Sequence, residues 1–92
     1  MSIEKPKTQA PAVDNAIAII DIISASSFPL TLSEICKQTG IPAASAHRVI
    51  NSLLYHQMVS RDPRRKRSYS VGSRIFEVAS TVFSKQRLIP FF

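Results

Sequence analysis

The fold is decided by residues 30–48, LTLSEICKQTGIPAASAHR. Within this stretch, Thr31-Leu-Ser-Glu34 has the pattern of a capping box, in which a Thr hydroxyl and a Glu carboxylate bind free backbone amides at the start of a helix. Leu30 and Ile35 have the spacing of the hydrophobic staple that accompanies such a box. The pattern therefore predicts that a short helix begins here.

That helix is predicted to end at Gly40, because glycine readily adopts the left-handed conformation that follows many helix ends. Pro42 suits the first position of a second helix, which we predict over residues 42–56. Two short helices joined by so tight a turn predict a helix-turn-helix.

The second helix has two different faces. Its buried stripe is predicted from its apolar residues: Ala46, Val49, Ile50, Leu53 and Leu54. Its outer face carries small and polar residues, most of them in the first two turns: Ala43, Ala44, Ser45, His47, Arg48 and Asn51. A recognition helix enters the major groove of DNA with its N-terminal residues, and the planar fork of Arg48 can bind a guanine edge or a phosphate. The alternative is an ordinary amphipathic helix with a polar outer face.

Two strands are predicted after this helix, over residues 58–61 and 67–71. In the second strand Tyr69 and Val71 are expected to face inward, and Ser68 and Ser70 outward. A hairpin that follows a helix-turn-helix is a wing, and this one carries five basic residues: Arg61, Arg64, Arg65, Lys66 and Arg67. So many like charges in so short a turn favour contact with phosphates or the minor groove.

The charge of the chain supports that interpretation. The formal net charge is +6, and residues 1–60 hold four basic and four acidic residues, so the whole excess lies after residue 60. A local positive field indicates a polyanionic partner. A solvated basic face that serves only solubility is the alternative.

The helices that flank this region are strongly apolar. The first begins near Val13 and ends at Phe28-Pro29; the last follows Gly72-Ser73 and ends at Pro90. Their apolar surface exceeds what a small core can cover, so we expect a homodimer. The predicted dimer contacts are Ile19, Ile22, Phe76, Val82 and Phe83.

The remaining composition excludes several classes of protein. Residues 1–12 are polar, lack the apolar segment of a signal peptide and are predicted to be disordered. A single cysteine and no apolar run of about 20 residues favour a soluble, cytoplasmic protein. Cys36, His47 and His56 fall on different helices or faces, so we expect no metal site. The sequence offers no paired acid and base and no phosphate-binding loop, so we expect neither an enzyme nor a bound cofactor.

Six stretches of the chain, in order and at their spacing, resemble the N-terminal domain of the isocitrate lyase regulator (IclR) family of bacterial transcription regulators. They are residues 13–20, 30–35, 40–42, 45–48, 59–63 and 69–72. The resemblance implies a dimeric winged helix-turn-helix whose last helix leads to a separate domain that binds small organic effectors. The family often has Lys-Ser-Thr after the Gly-x-Pro turn, whereas Ala43 and Ala44 stand at the first two positions here. The base-reading roles that the resemblance implies therefore rest on Ser45 and Arg48.

Together these observations predict a mainly α fold with a small β-hairpin: a three-helix core, a wing and a C-terminal linker helix. The predicted organisation is a tail at 1–12, a winged helix-turn-helix at 13–72 and a linker helix at 73–92. Apolar residues at 88–92 lead us to expect that the chain continues into the effector domain, which is absent here. The predicted function is sequence-specific binding of double-stranded DNA. A winged-helix protein-interaction module, or a DNA-binding domain of another winged-helix family, remains the alternative.

Overall fold

A computed structural model describes residues 8–86. It contains four helices and three short strands in these residues. In chain order they are α1 (Pro11–Ala25), β1 (Leu30–Thr31), α2 (Leu32–Thr39), α3 (Ala43–Tyr55), β2 (Val59–Arg61), β3 (Ser68–Val71) and α4 (Ser73–Gln86). The predictions for residues 1–7 and for residues 87–92, including the helix end at Pro90, lie outside the described residues. The mainly helical winged helix-turn-helix is confirmed.

The predicted capping box and helix end at the turn are confirmed, whereas the predicted position of Pro42 is off by one residue. The Thr31 amide donates to Glu34 Oε1 at 2.9 Å, and the Glu34 amide donates to Thr31 Oγ1 at 3.2 Å, which completes the capping box. Gly40 lies in the left-handed region at φ 79° and ends α2. Pro42 precedes α3 as its N-cap rather than forming its first residue, with φ −61° and ψ 146°.

The three strands form one antiparallel sheet in the order β1-β3-β2. Strand β1 was not predicted: Leu30 pairs with Tyr69, and Thr31 pairs with Ser68. This pairing places Ser68 in the interior, so its predicted outward position is wrong, while Tyr69 is buried as predicted. The Ser68 hydroxyl donates to the Arg65 carbonyl at 2.6 Å, which satisfies it inside the protein.

The core gathers side chains from the first three helices and all three strands. Its buried members are Ile19, Ile23, Leu30, Ile35, Ile41, Ala46, Ile50, Leu53, Val59 and Tyr69. Leu30 and Ile35, the predicted staple pair, both lie in this cluster. Because α2 and α3 pack on α1 and on the sheet together, the helix-turn-helix has a fixed orientation relative to the wing.

Helix α1 differs from its prediction in extent and in orientation. It begins at Pro11, inside the stretch predicted as a disordered tail, and ends at Ala25, three residues before Phe28. Ile19 is fully buried, whereas Ile17 is 55% exposed. Among residues 8–86, no helix is both long and apolar enough to cross a membrane.

Helix α4 meets the rest of the domain mainly at its start. The Arg74 amide donates to the Gln57 carbonyl at 3.0 Å, and the Ile75 amide donates to the Gly72 carbonyl at 3.3 Å. Ile75 is half-buried, and every residue from 76 to 85 is exposed. The helix therefore projects from the domain with its side chains uncovered.

Candidate nucleic-acid interface

The outer face of α3 is the first part of the candidate interface. Five of the six predicted residues there are exposed, namely Ala43, Ala44, His47, Arg48 and Asn51, and Ser45 is half-buried. Ala46, Ile50 and Leu53 hold the opposite face in the core. This division matches the predicted one. Small side chains in the first turn leave the start of α3 accessible, and no side chain of residues 8–86 caps it.

Arg48 lies where α3 meets the beginning of α1. A groove of about 450 Å³ separates these two helices, and its walls are the following residues of α1 and α3: Pro11, Ala12, Val13, Asn15, Ala16, Ser45, Arg48, Val49, Ser52 and Leu53. Within residues 8–86, Arg48 makes no ion pair. Its guanidinium is therefore available to an external acceptor beside the outer face of α3.

The wing is the second part of the interface, and its turn is built around Asp62. Asp62 Oδ1 accepts from the Arg64 backbone amide at 2.8 Å and from Arg64 Nε at 2.9 Å. Asp62 Oδ2 accepts from Arg64 Nη2 at 2.7 Å. These bonds to Arg64 hold the pKa of the Asp62 carboxyl well below its usual range. Arg64 thus stabilises the turn while much of its side chain faces solvent.

Arg65 points back to the helix-turn-helix. Its Nη1 donates to Glu34 Oε1 at 2.9 Å and to the Pro29 carbonyl at 3.0 Å, and its Nη2 donates to Glu34 Oε2 at 2.9 Å. The Arg65 hydrogen bonds, followed by that from the Thr31 amide, lower the pKa of Glu34 to about 2. The like charges of the turn were predicted to serve DNA contact, but Arg64 and Arg65 also have a structural role, since both pair with carboxylates of the same chain.

The other three basic residues of the wing make no ion pair within the described part of the chain. They are Arg61, Lys66 and Arg67, and all are exposed. The Arg61 guanidinium carbon lies 5.7 Å from the centre of the Tyr69 ring, a cation–π distance that leaves the charge uncancelled. Within residues 8–86, these three residues therefore carry the positive charge of the wing that no carboxylate cancels.

Glu34 is a participant in the wing that sequence reasoning missed. Its role in the capping box was predicted, but its partner Arg65 is 31 positions away. No local pattern links two residues at that separation. The pairing of β1 with β3 brings them together, and β1 itself was not predicted.

The predicted dimer contacts differ in their exposure to solvent. Phe76, Val82 and Phe83 are exposed on α4, in keeping with the expectation that one domain does not cover them. Ile19 is fully buried in the core, so it cannot contact a second chain in this conformation, and its assignment is wrong. Ile22 is half-buried and packs against the core.

The exposed apolar residues of α1 are Val13 and Ile17, which were not among the predicted contacts. Since apolar residues occupy most of the helix circumference, periodicity alone did not show which side faces the core. Within residues 8–86, no group of three or more His, Cys, Asp or Glu side chains is arranged to hold a metal ion.

Comparison with known proteins agrees with this geometry. The model of the IclR helix-turn-helix domain matches residues 12–63. The IclR transcriptional regulator of Alicyclobacillus acidocaldarius is 28% identical, with a TM-score of 0.73 over 82% of this chain and 30% of its own. The repressor BlcR of Agobacterium tumefaciens is 23% identical, with a TM-score of 0.71 over 80% of this chain and 29% of its own.

The Thermotoga maritima IclR protein has the same fold, with 22% identity and a TM-score of 0.69 over 78% of this chain and 28% of its own. The chain thus spans less than a third of the length of each of these three proteins. Among curated protein sequences, none matches it significantly.

Proposed function

Because the chain belongs to the IclR helix-turn-helix family of DNA-binding transcription regulators, we propose that it reads one specific duplex sequence with α3 in the major groove. The observation that carries this proposal is the exposed, polar N-terminal half of α3 beside a wing with three uncancelled positive charges. In this arrangement α3 supplies sequence discrimination and the wing supplies affinity that depends little on sequence.

Arg48 is the principal reading residue in this proposal, because it is exposed, has no ion-pair partner within residues 8–86 and can bind a guanine edge through two nitrogens. Ser45 and Asn51 lie near it on the same face and can hydrogen-bond a base edge or a phosphate. His47 is a weaker contributor. Ala43 and Ala44 allow close approach and can contact a thymine methyl group.

The test compares Arg48→Ala with the wing variant Lys66→Gln/Arg67→Gln. A duplex selected from a random library by the wild-type chain serves as the specific site, and a scrambled duplex serves as the control. Arg48→Ala is expected to cost about 1–3 kcal/mol on the selected site and to reduce discrimination. The wing variant is expected to weaken both duplexes about equally, as measured by fluorescence anisotropy.

The salt dependence provides an independent measure. If each protomer of a dimer neutralises about three phosphates, the logarithm of the binding constant falls with the logarithm of salt concentration at a slope of about −5. A slope near zero for the wild-type chain would refute the proposed contacts and favour a protein-interaction module.

We also propose that the chain acts as a homodimer through its first and last helices. Val13 and Ile17 on α1, and Phe76, Val82 and Phe83 on α4, are exposed apolar side chains that a second copy would cover. Twofold symmetry would then place two reading helices on half-sites about 34 Å apart. Sedimentation of wild type, Ile17→Glu and Phe83→Glu at high concentration tests this, and a wild-type chain that remains monomeric while it binds DNA contradicts it.

The length of the similar structures supports one further part of the proposal. The chain corresponds to under a third of those proteins, so we place the binding of a small organic effector on a domain beyond residue 92. We also place the protein in the cytoplasm, because the duplex DNA that it is proposed to bind lies there in bacteria. Sequencing the gene downstream of residue 92 tests the first of these assignments.

A further inference from the structure

Arg65 stands apart from the other basic residues of the wing because its side chain turns away from the wing's exposed surface. It makes three hydrogen bonds to acceptors outside the wing, one to the Pro29 carbonyl and two to Glu34. Glu34 belongs to the first turn of α2, so these bonds join the wing turn to the start of the helix-turn-helix.

The acceptor side of this contact is also held by the capping box. Glu34 Oε1 accepts from the Thr31 amide at 2.9 Å as part of the capping box. An exposed ion pair usually contributes little, because two long side chains must be fixed. Here the capping box fixes one of them, and the two-point geometry of guanidinium and carboxylate makes the pair stronger than a single contact.

The backbone of Arg65 is fixed as well. Its carbonyl accepts from the buried Ser68 hydroxyl at 2.6 Å, and its amide donates to the Asp62 carbonyl at 3.4 Å. Lys66 and Arg67 follow directly in the chain, and Arg67 lies in the left-handed region at φ 58°. The position of these two charged residues therefore depends on where Arg65 is held. The strands of the wing are held separately, by the pairs Leu30–Tyr69 and Thr31–Ser68 with β1 and by Val59 and Tyr69 in the core.

We propose that Arg65 is a positioning residue: by pairing with Glu34 it fixes the wing to α2, so that Lys66 and Arg67 face the duplex read by α3, and it contacts no phosphate itself. The inference rests on the DNA binding proposed above. Its rival is the simpler assignment, in which Arg65 is one more phosphate contact among the basic residues of the wing.

The variant Glu34→Gln separates the positioning role from the phosphate contact, because the two assignments predict opposite changes in duplex affinity. Glutamine keeps an oxygen that can accept from the Thr31 amide, but it removes the charge that holds Arg65. If Arg65 positions the wing, duplex affinity falls by about three- to tenfold, as for other coupled pairs, because the free wing must then be ordered on binding. The salt slope stays unchanged, because Lys66 and Arg67 still reach the same phosphates in the complex. If Arg65 contacts a phosphate, affinity rises, because a negative charge is lost and the Arg65 guanidinium is released.

Substitutions at Arg65 give the second readout. Arg65→Lys keeps the positive charge but cannot bind a carboxylate through two nitrogens. The positioning role therefore predicts the same loss of duplex affinity as for Glu34→Gln. A phosphate contact predicts nearly wild-type affinity. Arg65→Gln should leave the salt slope unchanged, whereas Lys66→Gln, the matched control, should reduce it by about 0.9 per protomer. The double variant Glu34→Gln/Arg65→Gln should bind no more weakly than either single variant.

The experiment measures anisotropy of a labelled duplex with the full 92-residue chain between about 50 and 200 mM salt, with circular dichroism to confirm folding at the assay temperature. Thr31→Ala controls for stability, because it removes the cap hydroxyl and leaves the ion pair; it should lower the melting temperature without changing affinity. Absence of salt-dependent binding by the wild type would refute the proposed function. If the wild type does bind the duplex, equal or tighter binding by Glu34→Gln would overturn the positioning role and leave the proposed function standing.

Discussion

Replacing Ile19 by alanine tests the orientation of α1, with Ile17→Ala as a matched control on the same helix. Ile19 is fully buried in the core, and Ile17 is 55% exposed. Ile19→Ala removes three buried carbons, each worth about 0.8 kcal/mol in transfer free energy, and leaves a cavity. The expected loss in the free energy of unfolding is about 3–4 kcal/mol. For Ile17→Ala, where no cavity forms, we expect a change within about 0.5 kcal/mol.

Urea denaturation followed by circular dichroism measures both variants. A domain of this size has a total stability of about 5–14 kcal/mol, so the chain with Ile19→Ala should still fold at low temperature. At an m-value of about 1.5 kcal/mol per molar urea, its midpoint should fall by about 2 M, while that of Ile17→Ala should hardly move. The measurement is made at low protein concentration. A dimer that covers Ile17 would make the change in unfolding free energy caused by Ile17→Ala depend on concentration.

The outcome that would refute this reasoning is a loss for Ile17→Ala as large as that for Ile19→Ala in the monomer. Helix α1 would then be rotated about its axis from the orientation described, and the exposed pair Val13 and Ile17 would belong to the core. The assignment of the α1 surface in the proposed dimer would fail with it. Similar m-values for the three proteins are required, since a changed m-value would indicate a different denatured state.

Two further predictions concern single positions in the wing and its support. Gly72→Ala should lower the free energy of unfolding by about 1–3 kcal/mol in the same urea assay, because an added Cβ would clash with the Gln57 carbonyl oxygen and lie 2.9 Å from the Met58 carbonyl carbon. An unchanged midpoint would contradict that contact. The pKa of Glu34 is lowered to about 2 from an ordinary value of 4.5, so its contribution is present above pH 4.5 and is lost as the pH falls towards 2. Melting temperatures from pH 7 to pH 2 should fall less steeply for Glu34→Gln than for the wild type, and parallel curves would contradict the assigned pairing.

The parts of the fold that could be predicted from sequence are those in which the decisive contacts are local. Thr31 and Glu34 bind each other's backbone amides three residues apart, and Gly40 ends α2 through its own backbone conformation. Neither needs information from a distant segment. The same holds for the exposed face of α3, where the alternation of polar and apolar residues is clear.

The predictions were wrong or incomplete where contacts between distant segments of the chain determine the structure. Strand β1 is two residues long and exists through its pairing with β3, so no alternation of residues could reveal it. That pairing also turned Ser68 inward. In α1 the apolar residues surround most of the helix, so the choice between Ile17 and Ile19 was made by packing against α2, α3 and the sheet rather than by periodicity.

The charge of the wing shows how tertiary contacts change a functional interpretation drawn from composition. Five basic residues in and beside a short turn predicted contact with phosphates or the minor groove. In the folded domain two of them pair with carboxylates, and the cluster separates into residues that build the wing and residues that carry its field. A net charge counts both groups alike, whereas a measured salt slope would count only the residues that neutralise phosphates.

Glu34 connects the two halves of this interpretation, because one carboxylate serves both the helix start and the wing. Its Oε1 accepts from the Thr31 amide and from Arg65, and its Oε2 accepts from Arg65 alone. The capping box that specifies the fold therefore also presents an oriented anion to the wing. An aspartate at position 34 would be one carbon shorter and could not reach both partners in the same geometry. A residue of the capping box that predicts the start of α2 is thus also the one whose ion pair joins the wing turn to the helix-turn-helix.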